Sequence, residues 1–335
     1  MLLFVVGLPG RFAEYCGALA AALGRAALGP TEVVSAGNLE EITFGVMRSE
    51  AANLVVQSHT PGPRLLAALT GAGRKFVVAV EDPRIAVGDL VARNGLPLAA
   101  ATRQVASSCA TVMRYVAAPG ALVLSPGEAG DDPAALAAAL AEHFELTIAE
   151  PDRQRVVQEF GATSDAASDE DPTRWWRALS AHDRELSEGA VSPFIGGFAG
   201  ASAPPIVWGA ELFSSGDWPD QTAVDPIDIT GRGRCLFRGP GIVLPAGPWS
   251  LTLELEFSPE AREYEFAVEV TAGPVLAARE VRPRSDVDPA IHLQFAIDEA
   301  ADAPLEVRFS SRRAAFDGQL FLSHAILVPQ PAAPD

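Results

Sequence analysis

The sequence predicts an α/β domain built on a parallel sheet, followed by an all-β domain built as an antiparallel β-sandwich. Three observations predict this division. In the first half, short apolar runs at residues 2–6, 54–56, 75–80 and 121–124 alternate with Ala- and Leu-rich stretches of helical period. That is the pattern of strands buried on both faces and joined by helices. From residue 206 onward apolar and polar residues alternate with period two, as in 250–257, 264–270, 291–297, 305–309 and 319–322. Strands with one buried face read this way. Between the halves lie a small, acidic stretch at 162–172 and a stretch rich in Gly, Ala and Pro at 196–205, the compositions of exposed connectors. The expected organisation is an α/β domain at 1–161, a connector with one helix at 162–205 and a sandwich at 206–330.

The chain opens Met-Leu-Leu-Phe-Val-Val-Gly-Leu-Pro-Gly-Arg. A buried strand at 2–6 breaks at Gly7-Leu8-Pro9-Gly10, and a helix starts near Phe12 and ends before Gly29-Pro30. A strand, a Gly-containing turn and a helix N-terminus together make a place where backbone N–H groups face an anion. The Lys-Ser/Thr pair of a Walker A loop is missing. A short strand or loop is expected at 31–36, a helix at 39–52, and a strand at 54–56 that stops at Ser58-His59-Thr60-Pro61-Gly62-Pro63, since the two prolines cannot continue a ladder. A helix at 64–71 leads to the strongest strand, 75–80, which runs into Glu81-Asp82-Pro83-Arg84. A long helical region covers 85–117, with a break signal at Gly95-Leu96-Pro97. After the strand at 121–124, Asp131-Asp132-Pro133 begins a helix to Phe144, with acids and Pro where a first turn favours them. Ligands of such a sheet bind at the carboxyl ends of its strands. Gly7, Pro9, Gly10, Arg11, His59 and Arg84 fall there.

This succession resembles the P-loop sulfotransferase fold over about residues 1–160. In that family the first strand enters a Pro-Arg/Lys-Ser-Gly-Thr loop holding the 5′-phosphosulfate of the donor, and Pro9-Gly10-Arg11-Phe12-Ala13 stands there. Ser58-His59-Thr60-Pro61 is similar to the family's His-Pro turn. Glu81-Asp82-Pro83-Arg84-Ile85-Ala86-Val87-Gly88 is similar to its Arg-Asp-Pro-Arg-Asp segment, whose Arg and following Ser hold the donor's 3′-phosphate. The resemblance implies cofactor-binding roles for Gly7, Pro9, Gly10, Arg11 and Arg84, and a catalytic base at His59. The departures reverse part of this. The hydroxyl and basic set of the first loop is absent, Glu81 replaces an Arg, and Gly88 replaces the Ser. A carboxylate about 4 Å from a phosphate is repelled by roughly 1–4 kcal/mol where an Arg would attract it. The expectation is a degenerate, non-catalytic sulfotransferase-like domain without a cofactor. The alternative is an active sulfotransferase, or another nucleotide-dependent transferase acting on a carbohydrate, which would use adenosine 3′-phosphate 5′-phosphosulfate.

In the connector, 173–186 reads as one helix capped by Asp171 or Thr173, with Trp176, Leu179 and Leu186 on one face. The Trp175-Trp176 pair is expected to pack that helix down, because large aromatics anchor; stacking on a sugar is the other reading. The second half resembles jelly-roll domains of the carbohydrate-binding kind, on the piece Gly239-Pro-Gly-Ile-Val-Leu-Pro-Ala-Gly-Pro-Trp249 leading into an alternating strand. Among Trp208, Trp218, Trp249 and Tyr264, the candidate ligand-binding platforms are Trp218, in the loop Ser-Ser-Gly-Asp-Trp-Pro-Asp, and Trp208. Trp249 enters a strand and is assigned to the core. Asp217, Asp220, Asp225 and Asp228 match no calcium-loop spacing, so no metal is expected.

Composition excludes several classes. A formal net charge of −18 on 335 residues opposes nucleic acid or an anionic membrane as partner. Cys16, Cys109 and Cys235 have no metal-ligand spacing and read as reduced thiols. No run approaches the ~20 apolar residues of a membrane span, and the apolar start lacks the basic region of a signal peptide. A cytoplasmic location is expected. The sequence has no Gly-x-Ser-x-Gly elbow, and His59, His143, His182, His292 and His324 are scattered. The expected role is glycan recognition or scaffolding in polysaccharide or glycoconjugate metabolism, with a glycan or glycosyltransferase machinery as partner.

Overall fold

The computed structural model describes residues 1–126, 132–161, 172–198, 205–218, 220–283 and 290–331. The chain divides into two compact units: Met1–Leu96 with Ser108–Leu179, and Pro97–Ser107 with Ser180–Asp335.

The first unit is a parallel sheet of β1 (Leu2–Gly7), β2 (Thr31–Ser35), β3 (Asn53–Ser58), β4 (Phe76–Ala79) and β5 (Ala121–Leu124), in the order β2-β3-β1-β4-β5. Its helices are α1 (Arg11–Leu28), α2 (Leu39–Arg48), α3 (Pro63–Gly71), α4 (Pro83–Asn94), α5 (Leu98–Val116), α6 (Pro133–His143), α7 (Glu150–Phe160) and α8 (Pro172–Ala178). Helix α5 starts in the residues of the second unit and ends in the first. Val55, Val5 and Val77, in the three central strands, are fully buried, as a sheet covered on both faces requires. Leu19, Leu23, Leu136 and Leu140 of α1 and α6 close the core over them. The region 85–117 is two helices. Gly95, at φ 66°, caps α4 in the left-handed conformation that favours glycine. Asp132 caps α6 by accepting the Ala134 N–H at 2.9 Å; Asp131, also assigned to that start, lies outside the described residues.

The stretch 173–186 is not one helix. Helix α8 ends at Ala178, and α9 (Ala181–Val191) begins again with Ser180 Oγ accepting the Asp183 N–H at 3.0 Å. A third helix, α10 (Pro193–Phe198), follows, so the described residues of the connector carry three helices where the sequence predicts one. Trp176 and Leu186 therefore lie on different helices. Most of the acidic stretch, including the proposed cap Asp171, lies outside the described residues.

The described strands of the second unit form two antiparallel sheets. One has the order β13 (Ile291–Ile297), β10 (Gly247–Phe257), β15 (Gln319–Pro329) and β6 (Ile206–Gly209), with β8 (Ile227–Asp228) also on β15. The other has the order β12 (Val275–Val281), β11 (Phe266–Thr271), β14 (Leu305–Ser311), β9 (Cys235–Ile242) and β7 (Ser214–Ser215). Alternation sets the inner faces: Leu251, Leu253, Leu255 and Phe257 of β10 are buried, as are Phe266, Val268 and Val270 of β11. The Phe257 ring of one sheet lies 5.3 Å from Phe266 and 6.3 Å from Phe309 of the other. Phe309 in turn stacks on Phe237 at 5.3 Å. These rings are the sandwich core. No described helix is long and apolar enough to cross a membrane.

Candidate functional site

The carboxyl ends of β1, β3 and β4 meet at one edge of the first unit. The pairings Val6↔Ser58 and Gly7↔Ala79 bring Gly7, His59 and Glu81 together. The loop after β1 is tight, with the Gly10 N–H donating to the Leu8 carbonyl at 2.8 Å. Gly10 is the N-cap of α1 and supplies no side-chain cap, so the first-turn N–H groups must find acceptors elsewhere.

Glu81 supplies one. Its carboxylate accepts the Phe12 N–H, and its Oε1 would lie 1.9 Å from a Cβ added to Gly10. The space an anion would take over this helix end is filled by the protein's own carboxyl group. Glu81 is only 7% exposed, and Oε1 has no hydrogen-bond partner among the described residues. Its pKa is pushed up to about 8, chiefly by burial. The Asp89, Glu14 and Asp82 carboxylates contribute to the rise, against the Phe12 N–H, which lowers it. At neutral pH the group is mostly a neutral acid, because a buried charge without a countercharge is costly.

The two arginines assigned to phosphate face carboxylates. The Arg11 N–H donates to Asp89 Oδ2 at 2.9 Å, and Arg11 Nε lies 3.0 Å from Asp89 Oδ1. Arg84 Nε donates to both Asp82 oxygens, at 2.9 and 3.0 Å, and its guanidinium lies 5.9 Å from the Trp176 ring centre. Gly88, where the resemblance implies a Ser, is overlain by Trp175: a Cβ there would lie 2.9 Å from Cε3. The tryptophan pair packs α8 onto α4 over Gly88, as its anchoring role implies. His59 Nδ1 donates to the Gly7 carbonyl at 3.0 Å, its Nε2 is 3.5 Å from Gln57 Nε2, and Ser108 Oγ donates to the His59 carbonyl. The imidazole thus ties the β1 loop to the β3 turn. Pro9 and Gly7 shape the same loop; a Cβ at Gly7 would lie 2.5 Å from the Ala79 carbonyl oxygen.

In the second unit the two candidate platforms part ways. Trp208 is fully buried in β6. It presents no face to a ligand and is corrected to a core residue, because its position in the ladder points its ring between the sheets. Trp249 is buried too, its Nε1 donating to the Pro245 carbonyl at 3.1 Å. Trp218 is 64% exposed. Its neighbour Asp217 accepts from Arg234 Nε at 2.8 Å, and the Ser311 N–H donates to the Arg234 carbonyl at 2.9 Å. Gly231 pairs with Ala315 in the same loop group. Next to Ala315 stands Phe316, 90% exposed, its N–H donating to Tyr264 Oη at 3.0 Å. Sequence reading passed over Phe316; the signal for it was an aromatic residue immediately before the Asp317-Gly318 turn, outside any alternating run. Among the described residues no group of three or more His, Cys, Asp or Glu is placed to hold a metal ion.

No family model matches the chain, and no curated protein matches it. Among solved structures it is similar to mouse sulfotransferase SULT7A1 complexed with PAP, at 12% identity and a TM-score of 0.40, covering 55% of this chain and 79% of that one. It is also similar to TmCBM61 in complex with beta-1,4-galactotriose, at 11% identity and a TM-score of 0.25, over 38% of this chain and 90% of that one. A third is the C-terminal CBM6 of LamC from Zobellia galactanivorans, at 12% identity and a TM-score of 0.26, over 37% of this chain and 99% of that one.

Proposed function

We propose that the protein is a non-catalytic, sulfotransferase-like scaffold with a glycan-recognising sandwich, working in polysaccharide or glycoconjugate metabolism beside a glycan or glycosyltransferase machinery. The observation that carries the first half is the Glu81 carboxyl over Gly10. It fills the anion position, Asp89 holds Arg11, Asp82 and the Trp176 ring engage Arg84, and Trp175 covers Gly88. A 5′-phosphosulfate entering the loop would have to displace a buried acid and separate an ion pair before making any contact of its own. No cofactor is assigned. What supports the second half is the pair of exposed rings, Trp218 and Phe316, on loops tied together by hydrogen bonds. Flat apolar faces beside fixed polar groups are what a pyranose ring stacks on.

Two measurements on the full chain test these halves. Calorimetric titration with adenosine 3′,5′-bisphosphate is expected to give no binding heat; micromolar binding that disappears in Arg11→Ala would restore the transferase alternative. On a glycan array, the wild type is expected to bind a glycan and Trp218→Ala to lose that signal at least tenfold with its thermal melt unchanged. Equal signals from the two proteins would remove Trp218 from the site.

A further inference from the structure

The second unit contains a hollow of about 280 Å³ that belongs to neither feature above. Helix α9 contributes His182, Glu185 and Leu186 to it, and the i, i+3, i+4 spacing puts them on one helical face. Helix α9 packs on β6, which adds Val207. The 3-10 turn Ala210–Leu212 brings Glu211, and β15 brings His324. Beside His324, Ser323 is the extra residue of a β-bulge: Glu254 pairs with His324 and Leu255 with Leu322. Bulges re-aim side chains at functional edges. Gly209, opposite His324, keeps the floor open: a Cβ there would lie 2.5 Å from Glu211 Oε2 and 3.2 Å from Leu186 Cδ1.

The chemistry of the lining is one-sided. His182 Nε2 lies 2.6 Å from Glu211 Oε1, and His324 Nε2 lies 3.4 Å from Glu254 Oε2. A carboxylate only accepts, so in each contact the imidazole Nε2 is the donating side. Glu185 and Glu211 add two negative charges, while Leu186 and Val207 form an apolar wall. The hollow therefore offers acceptors, negative charge and a patch of hydrocarbon.

We propose that this hollow binds a primary ammonium group on a small carbon skeleton, from an amino sugar or an alkyl amine. The N–H donors of the ammonium go to the Glu211 and Glu185 carboxylate oxygens, and the skeleton lies on Leu186 and Val207. This site stands independently of the aromatic loops around Trp218. Calorimetric titration of the full chain with D-glucosamine, n-butylamine and D-glucose tests it. At least one amine is expected to bind and glucose to give no heat; tighter glucosamine assigns the amino sugar, tighter butylamine the alkyl amine. Glu211→Gln is expected to weaken amine binding at least tenfold, Glu185→Gln to do the same where the first variant melts early, and Trp218→Ala to change nothing. Glucose binding as tightly as glucosamine, no binding of either amine at millimolar concentration, or unchanged affinity in both Gln variants would overturn the assignment.

Discussion

Glu81→Gln is expected to raise the melting temperature at pH 9 by about 5–10 °C and to leave it nearly unchanged at pH 4. The folded pKa of Glu81 is raised from 4.5 to about 8, so the native state holds a proton that the unfolded chain has released. The stability associated with the neutral acid is complete below pH 4.5 and is lost as pH rises through 8. At about 1.4 kcal/mol per unit, the ceiling by pH 9 is about 5 kcal/mol. Local rearrangement around a charged Glu81 relieves part of this, leaving roughly 2–3 kcal/mol, which for a unit of this size corresponds to the stated shift. The amide of Gln keeps an acceptor for the Phe12 N–H and never ionises. Circular-dichroism melts of both proteins at pH 4, 7 and 9 measure the difference. A gap that does not widen with pH would mean that Glu81 is already ionised and paired in the native state.

The second large effect is at Gly10. Gly10→Ala is expected to cost about 2–4 kcal/mol, and adding Glu81→Ala to return most of it. Gly10 sits at φ −143° and ψ 177°, extended backbone that alanine adopts freely, so backbone strain contributes nothing. The cost arises because the new methyl would lie 1.9 Å from Glu81 Oε1, forcing a nine-tenths buried carboxyl out of its place. Glu81→Ala alone removes the acceptor of the Phe12 N–H and leaves a void, and is expected to cost about 1–3 kcal/mol. Urea denaturation of the four proteins gives the coupling energy, expected above about 1.5 kcal/mol. Additive losses would mean that the two residues do not share the space over the α1 N-terminus.

Much of the architecture was legible because it is written in local pattern. Strands β1, β3 and β4 are apolar runs bounded by Gly and Pro, and β10, β11, β13 and β14 alternate with period two. The break at Ser180 was legible too, since Ser180 and Asp183 stand at capping spacing; the apolar periodicity across it hid the signal. The fates of the two tryptophans were not legible. Trp208 and Trp218 are both aromatic residues in short irregular contexts, and only the pairing of β6 with β15 buries one and leaves the other in solvent. Phe316 stood out only once its loop was seen to fold against Tyr264.

The opening loop shows where local reading stops. Residues 2–11 by themselves determine a strand, a tight turn and a helix N-terminus that needs an acceptor, because the apolar run ends at Gly7, glycine and proline favour a turn, and α1 cannot satisfy its own first N–H groups. The sequence also shows that Glu81 stands where the resemblance calls for an Arg. What only the tertiary structure decided is that this carboxyl reaches across from the end of β4 to become that acceptor, and that Arg11 turns to Asp89, 78 positions away. The physical reason is that burial and charge pairing depend on which groups the sheet order brings within a few ångströms, and β1 lies beside β4 although three helices and two strands separate them in the chain.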